Sequence, residues 1–303
     1  MSQQSLMKMA RCVACLVAMA MVGSVQAAWV MIDDFESGFG FDENTQTPVL
    51  LSNGANGWIV AGANDGSIAS GWRHIAADPL DSTNQALRFT GGGGTGTGKQ
   101  VLAGEGLADG STGTAFLRFY MDTQVGVAFG LGGSATTTNT TSTAGTIGFG
   151  DTGTAPNTVM NGFTSTAASS ITPMQTMAVD TWYNLWIVLE NAANADPDTV
   201  NFYVQGGAFA VPTLLSGVGP ITDFTSRGNI AAELVQVAFR PANSNRSSAS
   251  GAAQPDGGIL YIDDMYINNA GEDLTNPVPE PSSLAMFCMG AMGIGLRRFR
   301  GRK

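Results

Sequence analysis

Thr181 to Val204 reads TWYNLWIVLENAANADPDTVNFYV, and this stretch decides the fold. Its first half alternates between two sets of side chains, which places each set on one face of a β-strand. One set has core chemistry: Tyr183, Leu185, Ile187 and Leu189. A polar turn follows, and the second half alternates in the same way, with Val200, Phe202 and Val204 on one face. The stretch therefore predicts two strands that each contribute one face to a hydrophobic core.

The same period of two recurs elsewhere in the chain. Leu117, Phe119 and Met121 alternate with Phe116, Arg118 and Tyr120, and Val235, Val237 and Phe239 alternate with Gln236, Ala238 and Arg240. No long stretch has helical periodicity, and runs rich in Gly, Asn, Asp, Ser and Thr, such as 91–98 and 136–146, indicate loops. We therefore predict an all-β sandwich that forms a single domain over residues 28–272.

The second face of these strands repeats one chemistry, which is aromatic rings beside amide, guanidinium and carboxylate groups. A sugar ring needs such a surface, because its apolar C–H face packs on Trp or Tyr while its hydroxyls require donors and acceptors. The candidate glycan-binding residues are Trp182, Trp186, Asn184, Tyr203, Tyr120, Arg118 and Arg240. The alternative is an ordinary half-solvated sheet face whose tryptophans are tucked under a loop.

The two ends of the body are rich in carboxylates. DDFESG opens it at Asp33, and LYIDDMYI closes it between Leu260 and Ile267. If these segments pair, their repulsion would be relieved by a hard cation with oxygen ligands. We predict a structural Ca²⁺ near Asp33, Glu36 and Asp264; the alternative is that these carboxylates cap strand ends in water. The adjacent Asp263 and Asp264 are expected to point to opposite faces.

Three of these segments resemble the concanavalin A-like, laminin-G-like jelly roll: the opening DDFESG, the middle TWYNLWIVLENAANADPDTVNFYV and the closing GGILYIDDMYI. The resemblance spans Trp29 to about Ala270. It implies a jelly-roll sandwich of a kind that in bacteria often binds or processes polysaccharide, and that in some cases is an inert spacer. A calcium-stabilised carbohydrate-binding module of the galactose-binding type shares the opening and closing segments.

The tail has three parts in a fixed order. Pro279, Glu280 and Pro281 form a stiff extended segment. An uncharged apolar run of thirteen residues, 284–296, follows, and five of the last seven residues are basic, among them Arg297 and Arg298. The run spans about 20 Å as a helix against a hydrocarbon core of roughly 30 Å, a mismatch that membrane thinning and snorkelling arginines accommodate. The tail therefore predicts a short transmembrane helix with its basic end in the cytoplasm; the alternative is a buried core helix.

This order of parts resembles the PEP-CTERM sorting signal of Gram-negative bacteria, which we assign to residues 273–303. The resemblance implies that an exosortase, a membrane cysteine protease, recognises the tail. It also implies export across the inner membrane, membrane anchoring before processing, and release to the cell surface or extracellular matrix afterwards. Many members of this family accompany exopolysaccharide gene clusters.

The N-terminus carries a matching export signal. Lys8 and Arg11 precede an apolar run from Cys12 to Val22, and small residues then predict cleavage by signal peptidase after Ala27. An uncleaved anchor is the alternative. Two of the three cysteines lie in this segment and Cys288 lies in the tail, so the mature body offers no disulfide, thiolate metal site or cysteine nucleophile.

Charge excludes nucleic acid as a partner. Residues 28–278 contain 23 acidic and 7 basic side chains, a net charge of −16. Such a surface repels nucleic acid and anionic lipid.

No catalytic constellation is recognisable. Retaining glycosidases need paired carboxyls, but Asp196 and Asp198 flank a proline in a turn. His74 is the one histidine and has no motif around it, and the chain lacks a Gly-x-Ser-x-Gly elbow. We therefore expect non-catalytic association with exopolysaccharide. The alternatives are a structural matrix protein without a ligand and a polysaccharide-degrading enzyme whose carboxylates meet only in the fold.

Overall fold

The structure is a computed structural model, and it describes residues 29–41, 49–51, 55–60, 73–90, 97–100, 106–122, 127–132, 143–149, 159–163, 171–193, 199–215, 224–225, 236–241 and 259–278. The predicted signal peptide with Ala27, and the tail from Pro279 through Glu280 and Pro281 to Arg297 and Arg298, lie outside these residues. Within the described part of the chain, no helix is long and apolar enough to cross a membrane.

The described residues form strands and one short 3₁₀ turn at Ala55–Gly57. In chain order the strands are β1 (Val30–Asp33), β2 (Val49–Leu50), β3 (Trp58–Val60), β4 (Arg73–Ala77), β5 (Gln85–Thr90), β6 (Thr97–Gln100), β7 (Ser111–Met121), β8 (Val127–Gly132), β9 (Thr143–Phe149), β10 (Val159–Phe163), β11 (Ile171–Thr176), β12 (Thr181–Asn191), β13 (Thr199–Gly206), β14 (Phe209–Leu214), β15 (Phe224–Thr225), β16 (Gln236–Pro241) and β17 (Ile259–Asn268).

These strands make two antiparallel sheets. The large sheet has the order β14-β13-β12-β7-β17-β5-β4-β2, with β1 paired to β17 and β15 paired to β13. The small sheet has the order β11-β10-β9-β8-β16-β6-β3. The predicted all-β sandwich is therefore confirmed, and the longest strands, β7, β12 and β17, lie at the centre of the large sheet.

The core lies between the two sheets. Phe89 of the large sheet and Phe239 of the small sheet have ring centroids 5.3 Å apart, and Trp58 stacks beside Phe239 at 6.1 Å. All three are fully buried, and burying one such side chain contributes roughly 1.5–3 kcal/mol. The faces predicted from alternation are confirmed, because the core includes Leu117, Phe119, Met121, Tyr183, Leu185, Ile187, Leu189, Val200, Phe202, Val204, Val237 and Phe239.

The expectation that Asp263 and Asp264 point to opposite faces is wrong. The register of β17 against β7 shifts between Asp263 and Tyr266, and Asp264 has a positive φ of 50°. This bulge places two residues between Ile262 and Met265, which are both in the core. Both aspartates consequently lie on the side of the sheet that faces away from the core.

Candidate functional site

The candidate site lies on the face of the large sheet that points away from the small sheet, which we call the outer face. Register places three rows of side chains across it. The Trp182 row contains His74, Arg88, Tyr261, Tyr120 and Trp182. The middle row contains Asp263, Arg118, Asn184 and Gln205, and the Trp186 row contains Tyr266, Phe116, Trp186 and Tyr203. Neighbouring strands are about 4.8 Å apart, so side chains within a row can contact one another.

The Trp186 row is covered by residues 269–278, which we call the strap. Trp186 is fully buried, and its indole Nε1 donates a hydrogen bond to the carbonyl of Thr275 at 3.0 Å. Its ring packs edge-on against Phe116 at 5.2 Å. Trp29, at the start of the body, also packs on Phe116 and donates to the Thr275 hydroxyl at 3.2 Å. The strap therefore keeps Trp186 from contact with a ligand in this structure.

Hydrogen bonds hold the strap in place. The Thr114 hydroxyl donates to the Gly271 carbonyl at 2.9 Å and accepts from the Asp273 amide at 3.0 Å. The Asn268 amide donates to the Asp273 carboxylate at 3.0 Å. Residues 273–278, placed by the sequence in the sorting segment, thus lie against the sandwich, while the boundary at 272 stays a prediction.

The Trp182 end of the same strand is more open. Trp182 is half-buried, and its indole Nε1 donates to Asp78 at 3.3 Å. The guanidinium of Arg118 lies 4.7 Å from the centre of the Trp182 ring, and the Tyr120 ring lies 5.6 Å away. A cation over an indole face is attractive and holds the ring in a fixed orientation.

A depression of about 460 Å³ lies beside Trp182. It is lined by Trp182, Asn184, Gln205, Gly206, Gly207, Phe209, Ala210 and Asn276, so one wall comes from β12, one from the β13–β14 hairpin and one from the strap. Gly206 has a φ of 129°, and a Cβ there would meet the Trp182 carbonyl at 2.5 Å. Only glycine lets the hairpin approach Trp182 this closely.

Charge in the middle row is partly compensated. Arg118 forms an ion pair with Asp264 at 2.8 Å. Asp263 is buried, and its two oxygens accept from the Asn84 side chain at 2.9 Å and from the Asp264 amide at 2.8 Å. Burial, with the Asp264 charge second, raises the pKa of Asp263 to about 8. Burial also raises the pKa of Asp264, although Arg118 opposes that shift. Asp263 therefore carries a proton through much of the neutral range.

The Trp182 row has a different electrostatic character. Burial raises the pKa of Tyr120 to about 12. The Asp180 carboxylate, which accepts a hydrogen bond from the Tyr120 hydroxyl at 3.2 Å, adds to this shift. Burial likewise raises the pKa of Tyr261. The pKa of His74 is lowered by burial and then by the charges of Arg88 and Arg73, so this imidazole is neutral at pH 7. These side chains act as neutral hydrogen-bonding groups.

The residues predicted to bind calcium have protein partners. The carboxylate of Asp33 accepts from the Phe35 amide at 2.9 Å and from the Trp58 indole at 2.8 Å. Glu36 accepts from the Gln85 amide at 2.9 Å, and Asp264 pairs with Arg118. Among the residues that the structure describes, no group of three His, Cys, Asp or Glu side chains is arranged to hold a metal ion. Calcium binding stays a prediction, which a calcium-dependent shift of the melting temperature would support.

The structure brings together some of the predicted glycan-binding residues. Trp182, Tyr120, Arg118 and Asn184 are neighbours on β7 and β12. Tyr203 lies opposite Trp186 on β13 and is half-buried. Arg240 lies on β16 in the small sheet, apart from the other six.

Sequence reasoning missed the hairpin, the strap and the loop at Asp78. The Gly206-Gly207 pair between two alternating runs is typical of a hairpin and could have revealed one wall of the depression. Nothing in the order of residues 269–278 indicates which surface they cover.

Comparison with known proteins identifies the tail. Residues 277–300 match the PEP-CTERM protein-sorting motif, as the sequence predicts. No curated protein matches the chain. Similar solved structures include the alginate lyase Aly36B (11% identity, TM-score 0.38, covering 81% of this chain and 98% of that one). They also include an endo-β-1,4-glucuronan lyase from the fungus Trichoderma reesei (10% identity, TM-score 0.39, 72% and 94%). A sialidase matches at 9% identity and a TM-score of 0.39 over 79% of this chain, which spans 19% of the sialidase's length.

Proposed function

We propose that this exported protein associates with extracellular polysaccharide, without catalysis, through the depression beside Trp182. The PEP-CTERM motif marks it as a secreted protein of a Gram-negative cell envelope that is anchored in the membrane before an exosortase processes it. We expect a protein on this route to meet extracellular polysaccharide.

The observation that carries the proposal is the half-buried ring of Trp182 at the edge of a hollow with amide walls. Asn184, Gln205 and Asn276 supply donors and acceptors, and Trp182 supplies an apolar ring. A sugar needs both, because burying its hydroxyls without partners would cost more than the apolar contact contributes. Arg118 and Asp78 fix the ring beforehand, which lowers the entropic cost of binding.

The test is a titration of the full chain, purified in mild detergent, against the extracellular polysaccharide of the producing bacterium. Trp182→Ala is expected to weaken binding about tenfold or more, which corresponds to at least about 1.4 kcal/mol. Trp186→Phe is the matched control, because it keeps an aromatic ring under the strap and should leave the affinity unchanged.

Two outcomes would favour the alternatives. If the folded wild-type protein does not bind, it is a structural matrix protein without a ligand. If incubation releases new reducing ends from the polymer, the protein is an enzyme, and the depression is its substrate site. A chelator added to the same titration tests whether calcium supports the fold or the binding.

A further inference from the structure

The Trp182 row continues beyond the depression into a group of cationic and polar side chains. Tyr120 lies between Trp182, at 5.6 Å, and Tyr261, at 6.0 Å. Tyr261 is opposite Arg88 in register, and Arg88 is opposite His74. The row crosses five neighbouring strands, a length of about 19 Å. A polymer segment of several sugars that contacts Trp182 can therefore also reach Arg88.

Arg88 and His74 have polar atoms that the protein leaves unpaired. The Arg88 Nε and the His74 Nδ1 are buried and have no hydrogen-bond partner. Leaving a buried polar group unpaired is destabilising, so a ligand that supplies the missing partner would gain from it. No carboxylate among the described residues forms an ion pair with Arg88, in contrast to Arg118, which pairs with Asp264.

The chemistry of this group selects an anion. An arginine presents donors in a planar fork that matches a carboxylate or a sulfate, and the neutral tyrosine hydroxyl adds a further donor. Arg73, next to His74 on β4, is buried on the core side of the sheet, so its charge reaches His74 only through the sheet, and Arg88 is the cation of the outer face. The body as a whole carries a charge of −16. That charge acts weakly at a distance, because the Debye length at physiological salt is only about 8 Å, whereas a contact with Arg88 is barely screened.

We propose that Arg88, with His74 and Tyr261 beside it, binds the acidic group of a carboxylated or sulfated sugar in a polymer that also contacts Trp182. This inference rests on the proposed function and names its ligand class, an acidic polysaccharide. Arg88 supplies the charge recognition, and the buried Tyr120 ring fills the space between Trp182 and Tyr261.

The experiment compares three polymers with the full chain in detergent: polygalacturonate, its methyl ester and dextran sulfate. Wild-type protein is expected to bind polygalacturonate, or dextran sulfate if sulfate is the true ligand, at least tenfold more tightly than the uncharged ester. Arg88→Gln should remove that preference while leaving the weak binding of the ester unchanged. Arg88→Lys keeps the charge and should retain part of the preference. A preference kept in this variant shows that residue 88 can be replaced without loss of the fold.

The outcomes separate the two proposals. The acidic subsite is overturned if neither charged polymer binds more tightly than the uncharged ester, or if Arg88→Gln leaves the preference unchanged. If Trp182→Ala weakens binding of every polymer that binds the wild type but Arg88→Gln changes nothing, the depression binds sugar without the subsite. If Trp182→Ala changes no affinity, the proposed function itself fails.

Discussion

Trp182 and Trp186 lie four residues apart on the same face of the same strand, yet they have opposite environments. Trp186 is sealed under the strap by Thr275, whereas Trp182 is half-buried at the edge of an open hollow. Their positions in the alternation are equivalent, so the difference comes from residues 269–278, which are remote in sequence. One tryptophan stabilises the closure of the chain, and the other remains available for recognition.

The largest expected effect on stability is from Trp186→Ala. Removing a fully buried indole and its hydrogen bond to Thr275 should lower the free energy of unfolding by about 3–5 kcal/mol. Trp182→Ala removes a half-buried ring and should cost only about 1 kcal/mol. Urea unfolding followed by circular dichroism measures both. Equal losses for the two variants would contradict the distinction between a Trp186 buried under the strap and a half-buried Trp182.

The pH dependence of stability should reveal the buried carboxylate in the middle row. With the pKa of Asp263 raised to about 8, the folded state holds a proton that the unfolded state has released above about pH 4. Stability should therefore fall as pH rises between pH 4 and 8 and level off above that, with a slope of up to about 1.4 kcal/mol per pH unit.

Asp263→Asn is the control for this dependence, because the amide stays neutral and still accepts from the Asp264 amide. The variant should lose most of the slope in urea midpoints measured at pH 5.5 and pH 8. A wild-type slope that persists in the variant would place the titration elsewhere.

Gly206→Ala should cost about 1–3 kcal/mol, because a Cβ at this positive φ would strain the backbone and collide with the Trp182 carbonyl. The hairpin would then move away from Trp182 and weaken polysaccharide binding as well. Gly271→Ala is a useful comparison. Gly271 also has a positive φ, but the space around its Cβ position is open. The variant should therefore lose stability from backbone strain alone and keep its affinity for polysaccharide.

The smallest expected effect is from Trp29→Phe. This change keeps most of the packing on Phe116 and removes one exposed hydrogen bond to the Thr275 hydroxyl, a loss of about 0.5–1 kcal/mol. Thr275→Val removes the acceptor of this hydrogen bond, as Trp29→Phe removes its donor. A double-mutant cycle in urea should show that the two losses are not additive, and strict additivity would mean that the bond contributes nothing.

The sequence was sufficient for the parts of the fold that depend on local pattern. Alternation places Leu185 and Phe202 in the core and Trp182 on the other face, as the structure confirms. Alternation also places Phe239 in the core, but it cannot tell which sheet contains β16, because strand pairing is set by long-range contacts. Arg240 was therefore grouped with residues of the other sheet.

The candidate site was harder to predict for related reasons. The positive φ of Asp264 breaks the period of two, so the alternation rule assigned Asp263 and Asp264 to opposite faces. Burial of Trp186 depends on where the strap docks, and the unpaired polar atoms of Arg88 and His74 become visible only once β4, β5 and β17 are seen side by side. None of these features has a local sequence signal, because each depends on how distant parts of the chain pack together.

Hydroxyl-radical footprinting of the full chain, read by mass spectrometry at each tryptophan, tests the contrast between the two ends most directly. In the free protein, Trp182 should oxidise much faster than Trp186. Saturating extracellular polysaccharide of the producing bacterium should slow oxidation of Trp182 and leave the low rate of Trp186 unchanged. An unchanged Trp182 rate under saturating polymer, or equal rates at the two tryptophans in the free protein, would contradict the account.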